Sequence, residues 1–118
     1  MTIDPPAVRL RIYIGEADRW EGRPLYEAIV VRLRERGLAG ATVVRGIEGF
    51  GKNAQLHTAK ILRLSEDLPI VIDAVDSEGA IRAILPELDA MVGDGLITVE
   101  SVEVVAYRAG GATNRPVA

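Results

Sequence analysis

From Ala7 to Ile14 apolar and polar residues alternate, with Val8, Leu10, Ile12 and Ile14 on one face and Arg9, Arg11 and Tyr13 on the other. A period of two over this length predicts a half-buried strand whose polar side meets a surface or a subunit contact. Gly15 to Gly22 reads as a charged loop carrying the only tryptophan, Trp20, placed to close over a core edge or an interface. Pro24 then opens a helix running to about Arg36, because proline is tolerated in a first turn. Leu25, Ala28, Ile29 and Leu33 make its apolar stripe. Glu27 near its start and Arg32, Arg34 and Arg36 near its end complement the helix dipole. Gly37 fits the left-handed position that follows a helix.

A second strand begins at Ala41 and passes through Val43 and Val44, read as buried, into Arg45-Gly46-Ile47-Glu48-Gly49-Phe50-Gly51-Lys52. Periodicity is mixed between Asn53 and Leu68. His57 to Leu64 reads as a strand, with a short helix as the alternative. Pro69 starts the next strand, whose continuous Ile70-Val71-Ile72 predicts burial on both faces, as in the middle of a sheet. Ser77 is an N-cap for a second helix with Ile81, Ile84, Leu85, Leu88, Met91 and Val92 at helical spacing. Pro86 is expected to kink this helix or split it at Leu85. Gly93-Asp94-Gly95 ends it and leads into a last strand, Leu96 to Arg108. There Ile97 and Val99 point one way and Val102, Val104 and Ala106 the other, so a bulge or break is expected near Glu100 and Ser101.

This order predicts an α+β protein with the ferredoxin-like β-α-β-β-α-β arrangement and a long insertion between the second and third core strands. A single domain would span residues 7–108, with 1–6 and 109–118 as flexible termini. Two helices on one side of the sheet leave the other side uncovered, and homo-oligomerisation is the simplest cover.

Composition narrows the chemistry. A chain of 118 residues suits one domain, and the absence of cysteine excludes disulfides, thiolate metal sites and cysteine nucleophiles. No apolar run is long enough for a membrane span, and the N-terminus lacks the pattern of a signal peptide, so a cytoplasmic protein is expected. The net charge of −3 argues against a nucleic-acid binder. All basic residues except Lys52 and Lys60 are arginine. That bias suits carboxylate or phosphate contacts, or reflects genomic base composition.

Two glycine clusters are the candidate site. Gly46, Gly49 and Gly51 surround Phe50 between Arg45 and Lys52, and Gly93, Asp94 and Gly95 form the second group. Glycine permits positive φ and close approach of backbone N–H groups to a ligand. With Arg45, Lys52 and Arg108 nearby, the two clusters would border a phosphate-sized anion site. The plainer readings are a tight turn for the first cluster and a helix stop for the second. His57 is the only histidine, which rules out a histidine metal cluster and makes a structural or surface role the simpler reading. Ser65, Ser77 and Ser101 form no nucleophile elbow. Glu66, Asp67, Asp73 and Asp76 read as turn or cap residues, so no catalytic constellation is recognisable and a non-enzymatic protein is expected.

Val44-Arg45-Gly46 followed by Gly49-Phe50-Gly51 resembles the segment leading into the long regulatory loop of the PII nitrogen-regulatory signal-transduction proteins. Gly93-Asp94-Gly95 with Ile97 and Val99 resembles their second nucleotide-contacting loop and the following strand. The chain is still more similar to the PII-like bacterial family known as domain of unknown function 190. The stretches that carry this likeness are Leu10-Arg11-Ile12-Tyr13-Ile14-Gly15-Glu16, Gly22-Arg23-Pro24-Leu25-Tyr26, Gly37-Leu38-Ala39-Gly40-Ala41-Thr42, His57-Thr58-Ala59 and Leu64-Ser65-Glu66-Asp67-Leu68-Pro69.

The resemblance implies a ferredoxin-like subunit of a homotrimer with clefts between neighbours. It implies an adenine nucleotide effector (AMP, ADP, ATP or a cyclic nucleotide) and a partner protein or membrane transporter engaged through residues 51–68. Carried over, Gly49, Phe50, Gly51 and Lys52 form the loop base, Gly93, Asp94 and Gly95 cradle phosphates, and Arg108 reaches across from a neighbouring subunit. The chain departs from the PII pattern at Leu96, where those proteins carry lysine, and at Ala106, which replaces one of two C-terminal arginines. Ile61, Leu62 and Leu64 in the loop region imply a more ordered loop than in those proteins, and a less charged nucleotide suits the site as well as ATP. The alternatives are a small enzyme using His57 or a carboxylate in the same cleft, and a metal-responsive trimer.

Overall fold

The computed structural model describes residues 2–51 and 67–109, together with the backbone of His57 and Thr58. In chain order the elements are β1 (Ala7–Gly15), β2 (Arg19–Trp20), β3 (Arg23–Pro24), α1 (Leu25–Glu35), β4 (Thr42–Arg45), β5 (Glu48–Gly49), β6 (His57–Thr58), β7 (Pro69–Ser77), α2 (Glu78–Met91) and β8 (Leu96–Val102). Four of them form one antiparallel sheet in the order β4-β7-β1-β8, the ferredoxin-like arrangement. β2 and β3 form a small hairpin, and so do β5 and β6.

The alternation in β1 settles which side of the sheet is core. Val8, Leu10, Ile12 and Ile14 are buried together with Ile70, Ile72 and Ala74 of β7, under Leu25, Ala28, Ile29 and Leu33 of α1 and Ile81, Ile84, Leu88 and Met91 of α2. Both helices cover this one side. β7 alternates fully: Ile70, Ile72, Ala74 and Asp76 are buried and the residues between them half-buried. Its apolar run therefore marks a central strand with one open face, not one covered on both.

The helix boundaries follow local chemistry. Pro24 caps α1, and Gly37 has φ +76° just beyond its end. Ser77 caps α2, its Oγ accepting from the Ala80 N–H at 3.2 Å. α2 runs through Pro86 without splitting. The carbonyl freed by proline belongs to Arg82, an exposed residue on the solvent side of the helix. The helix ends at Val92, whose backbone is extended (φ −90°, ψ 106°), so the following glycines do not act as a left-handed stop. Glu87 on α2 clamps α1, accepting from Arg32 at 2.8 Å and from Arg36 at 2.8 and 2.6 Å.

Three further sequence expectations are corrected. β4 is an edge strand, so Val43 and Val44 are exposed, Val44 at 52%. β8 pairs with β1 in unbroken register from Leu96 to Val102 and then ends. The change of phase near Glu100, expected as a bulge or break, marks the end of the strand, since residues 103–109 are not strand. Gly15 to Gly22 is not all loop: Trp20 lies in the β2–β3 hairpin and packs partly buried against the core. Glu21 (φ 47°) and Gly22 (φ 83°) make the tight connection expected of a two-residue hairpin turn. The expected strand from His57 to Leu64 is seen as β6 over its first two residues, and residues 59–64 lie outside the described residues.

Candidate functional site

The ends of the central strands place the glycine clusters. Gly15 of β1 pairs with Pro69 of β7, and Ile14 with Ile70, which in turn pairs with Arg45 of β4. β8 starts beside Tyr13. The first cluster therefore lies beyond β4 and the second before β8, at the same end of the sheet but on its two opposite edges. Three strand spacings separate those edges, about 14 Å. The expectation of a single phosphate-sized site is corrected accordingly. A ligand touching both clusters of one subunit spans the strip formed by the ends of β1 and β7.

The glycines are required by packing more than by unusual backbone. Among the described residues only Gly22 and Gly37 are glycines with positive φ. The Gly46 N–H donates to the Pro69 carbonyl at 2.7 Å, and a Cβ on Gly46 would lie 3.3 Å from the Pro69 side chain. A Cβ on Gly49 would approach it to 2.9 Å. A Cβ on Gly95 would sit 2.5 Å from the Tyr13 carbonyl oxygen. Gly51 and Gly93 face open space.

The remaining candidates are scattered. Phe50 is 72% exposed at the root of the insertion, and Asp94 is exposed on the opposite edge. His57 is opposite Gly49 in the β5–β6 ladder. Lys52 lies outside the described residues. Arg108 follows Tyr107, whose hydroxyl donates to the Ala39 carbonyl at 2.9 Å, near the far end of the sheet. Within one subunit Arg108 is thus remote from both glycine clusters.

Arg45, assigned by sequence to an anion, already has an anionic neighbour. Its Nε lies 3.2 Å from Glu16 Oε2, in the loop after β1. That loop also ties down the other end of the insertion: the Glu16 N–H donates to the Leu68 carbonyl at 2.8 Å, and the Ala17 N–H to Asp67 Oδ1 at 2.9 Å. Sequence reading missed Glu16, whose partners are distant in the chain. Its signal was an acidic residue immediately after a strand end.

The open side of the sheet adjoins the strip. In register across the four strands lie Val44, Val71, Tyr13 and Leu96, an apolar row in which Leu96 is 55% exposed. Next come Thr42, Asp73, Arg11 and Thr98, then Val75, Arg9 and Glu100. Arg11 donates to Asp73 at 3.3 and 3.1 Å, and Arg9 pairs with Glu100. Hydrogen bonds with Asp73, then with Tyr13, raise the Arg11 pKa above its already high ordinary value, so its charge is fixed. Toward the far end, Ile3, Thr42, Asp73, Val75 and Tyr107 line a shallow cleft. Among the described residues no group of histidine and acidic side chains is arranged to hold a metal, and no helix is long and apolar enough to cross a membrane.

Comparison with known proteins bears on this geometry. The model of the domain of unknown function 190 family, described as "Uncharacterized ACR", matches residues 7–104. A UPF0166 protein of Aquifex aeolicus (strain VF5) is 42% identical over 96 residues, covering 81% of this chain and 90% of that one. A UPF0166 protein of Methanocaldococcus jannaschii is 38% identical over 96 residues, covering 80% and 88%. Among solved structures, the nitrogen regulatory PII-like protein CPII of Thiomonas intermedia K12, bound to ADP, AMP and bicarbonate, superposes with a TM-score of 0.64. It is 19% identical and the match covers 83% of this chain and 87% of CPII. The apo form of CPII gives a TM-score of 0.55 at 18% identity, with 83% and 90% coverage. The chain belongs to the domain of unknown function 190 family and has the PII-like ferredoxin fold.

Proposed function

We propose that the chain is the subunit of a homotrimeric PII-like regulatory protein that binds an adenine nucleotide in clefts between subunits. Occupancy is relayed through residues 51–68 to a partner protein or a membrane transporter. The observation that carries this reading is the position of the two glycine clusters, flanking one strip at one end of the sheet. A strip about 14 Å wide suits a ligand longer than a lone phosphate. Exposed Phe50 beside it supplies an aromatic face for a purine ring. Phosphate oxygens would be met by backbone N–H groups of Gly49, Gly51, Gly93, Asp94 and Gly95 and by Arg45 and Lys52. The N–H of Gly46 is already bonded to Pro69, so Gly46 serves the packing of the loop base.

Two features support clefts between subunits. Arg108 lies far from the glycines of its own subunit, so it meets phosphate only by coming from another copy. The row of Val44, Val71, Tyr13 and Leu96, with ion pairs behind it, has the character of a surface covered by a neighbour. CPII, which shares the fold, has been solved with ADP and AMP bound, which makes these the first nucleotides to try. Titration calorimetry of the folded protein with ATP, ADP, AMP and cyclic AMP tests the reading. A saturable heat with at least one of them is expected, and no heat with any overturns it.

A further inference from the structure

The loop after β1 touches both ends of the insertion at once. Arg45 at the upstream end faces the carboxylate of Glu16, and Leu68 at the downstream end accepts from the Glu16 N–H. The two ends are also joined directly by the Gly46 N–H and the Pro69 carbonyl. The two halves of the ion pair differ: the Glu16 side chain is 22% exposed and that of Arg45 61%. Glu16 is thus the anchored half, fixed by its backbone bond, and Arg45 the half free to turn. The guanidinium presents its N–H donors as one rigid planar fork, so turning it toward a phosphate takes Nε away from Glu16.

We propose that Glu16 is an internal competitor for Arg45, holding the guanidinium while the strip is empty and yielding it to a phosphate-bearing ligand. Glu16 then sets the affinity of the site and links occupancy to the two ends of the insertion, with no contact of its own to the ligand. The effect is bounded by the value of a partly exposed ion pair, about a two- to fivefold change in an equilibrium. This inference rests on the nucleotide reading above, so its test has one arm that needs no ligand.

In the first arm, hydrogen–deuterium exchange of the peptide spanning residues 42–49 is compared in the wild type, Glu16→Gln and Arg45→Gln without nucleotide. Either substitution is expected to speed exchange about two- to fivefold. Unchanged exchange in both overturns the latch, whatever the protein binds. In the second arm, ADP affinity is measured for Glu16→Gln, Arg45→Gln and the double variant. Glu16→Gln is expected to tighten ADP binding about two- to fivefold and to lose that effect when Arg45 is absent. Unchanged or weaker binding in Glu16→Gln overturns the competitor role. A wild type that binds no nucleotide defeats the nucleotide reading, and the exchange arm then decides the latch alone.

Discussion

Gly95→Ala separates a glycine needed for packing from one free to serve a ligand. A Cβ at this position lies 2.5 Å from the Tyr13 carbonyl oxygen, 3.0 Å from Val92 Cγ1 and 3.1 Å from Ile14 Cγ2. Carbon normally approaches a carbonyl oxygen no closer than about 3.3 Å, so the start of β8 must retreat by about 0.8 Å. Overpacking of this kind costs about 1–3 kcal/mol. The loss of glycine's freedom in the unfolded chain returns about 0.4–1 kcal/mol, so the middles of the two ranges, about 2 and about 0.7, leave a net loss of about 1.3 kcal/mol. With a urea m-value of about 2 kcal/mol/M, the unfolding midpoint falls by about 0.5–1 M. Gly93→Ala is the internal control: its Cβ meets open space and its φ lies outside the left-handed range, so the midpoint stays or rises slightly. Equal midpoints for Gly95→Ala and the wild type, or equal losses for both variants, would refute the packing account.

Three further outcomes follow from contacts elsewhere in the fold. The Glu87 pKa is lowered to about 2, first by its hydrogen bond with Arg36 and then by that with Arg32. Because the folded value lies below the ordinary 4.5, this clamp stabilises fully above that pH and is lost as the pH falls toward 2. The difference in Tm between the wild type and Glu87→Gln should therefore be present at pH 6 and gone near pH 2; a gap independent of pH contradicts it. Asp76 is buried and accepts from the Ala39 N–H at 2.8 Å and the Ser77 N–H at 2.7 Å, so Asp76→Ala strands both donors. The cost is about 1–3 kcal/mol, read as several degrees of Tm, and a shift below one degree would show that water replaces the carboxylate fully. Leu88→Ala empties a fully buried site between α2 and the sheet, and a loss of about 2–5 kcal/mol in chemical denaturation is expected.

Periodicity made the fold legible because each core element has one buried side. The alternation of β1 and the stripe of α1 are all buried, the α2 stripe is buried at Ile81, Ile84, Leu88 and Met91 with Leu85 and Val92 packed partly buried beside it, and Ser77 and Gly37 act through local chemistry that a sequence displays. What stayed hidden depends on neighbours in space. Val43 and Val44 look like core residues until the sheet order makes β4 an edge. The phase change after Glu100 looks like a bulge until the pairing with β1 is seen to stop at Val102. The two glycine clusters were recognisable, but their separation across the sheet follows from topology, not spacing. The role of Glu16 is not legible from its place after a strand end alone, because Arg45 and Leu68 reach it only after the sheet has formed.

Native mass spectrometry of the folded protein titrated with ADP tests the central claim most directly, since it weighs the assembly and counts its ligands together. A species of three subunits that takes up as many as three nucleotides is the predicted result. A folded monomer, or a trimer that binds no nucleotide at saturating ADP, would contradict a nucleotide site built between subunits.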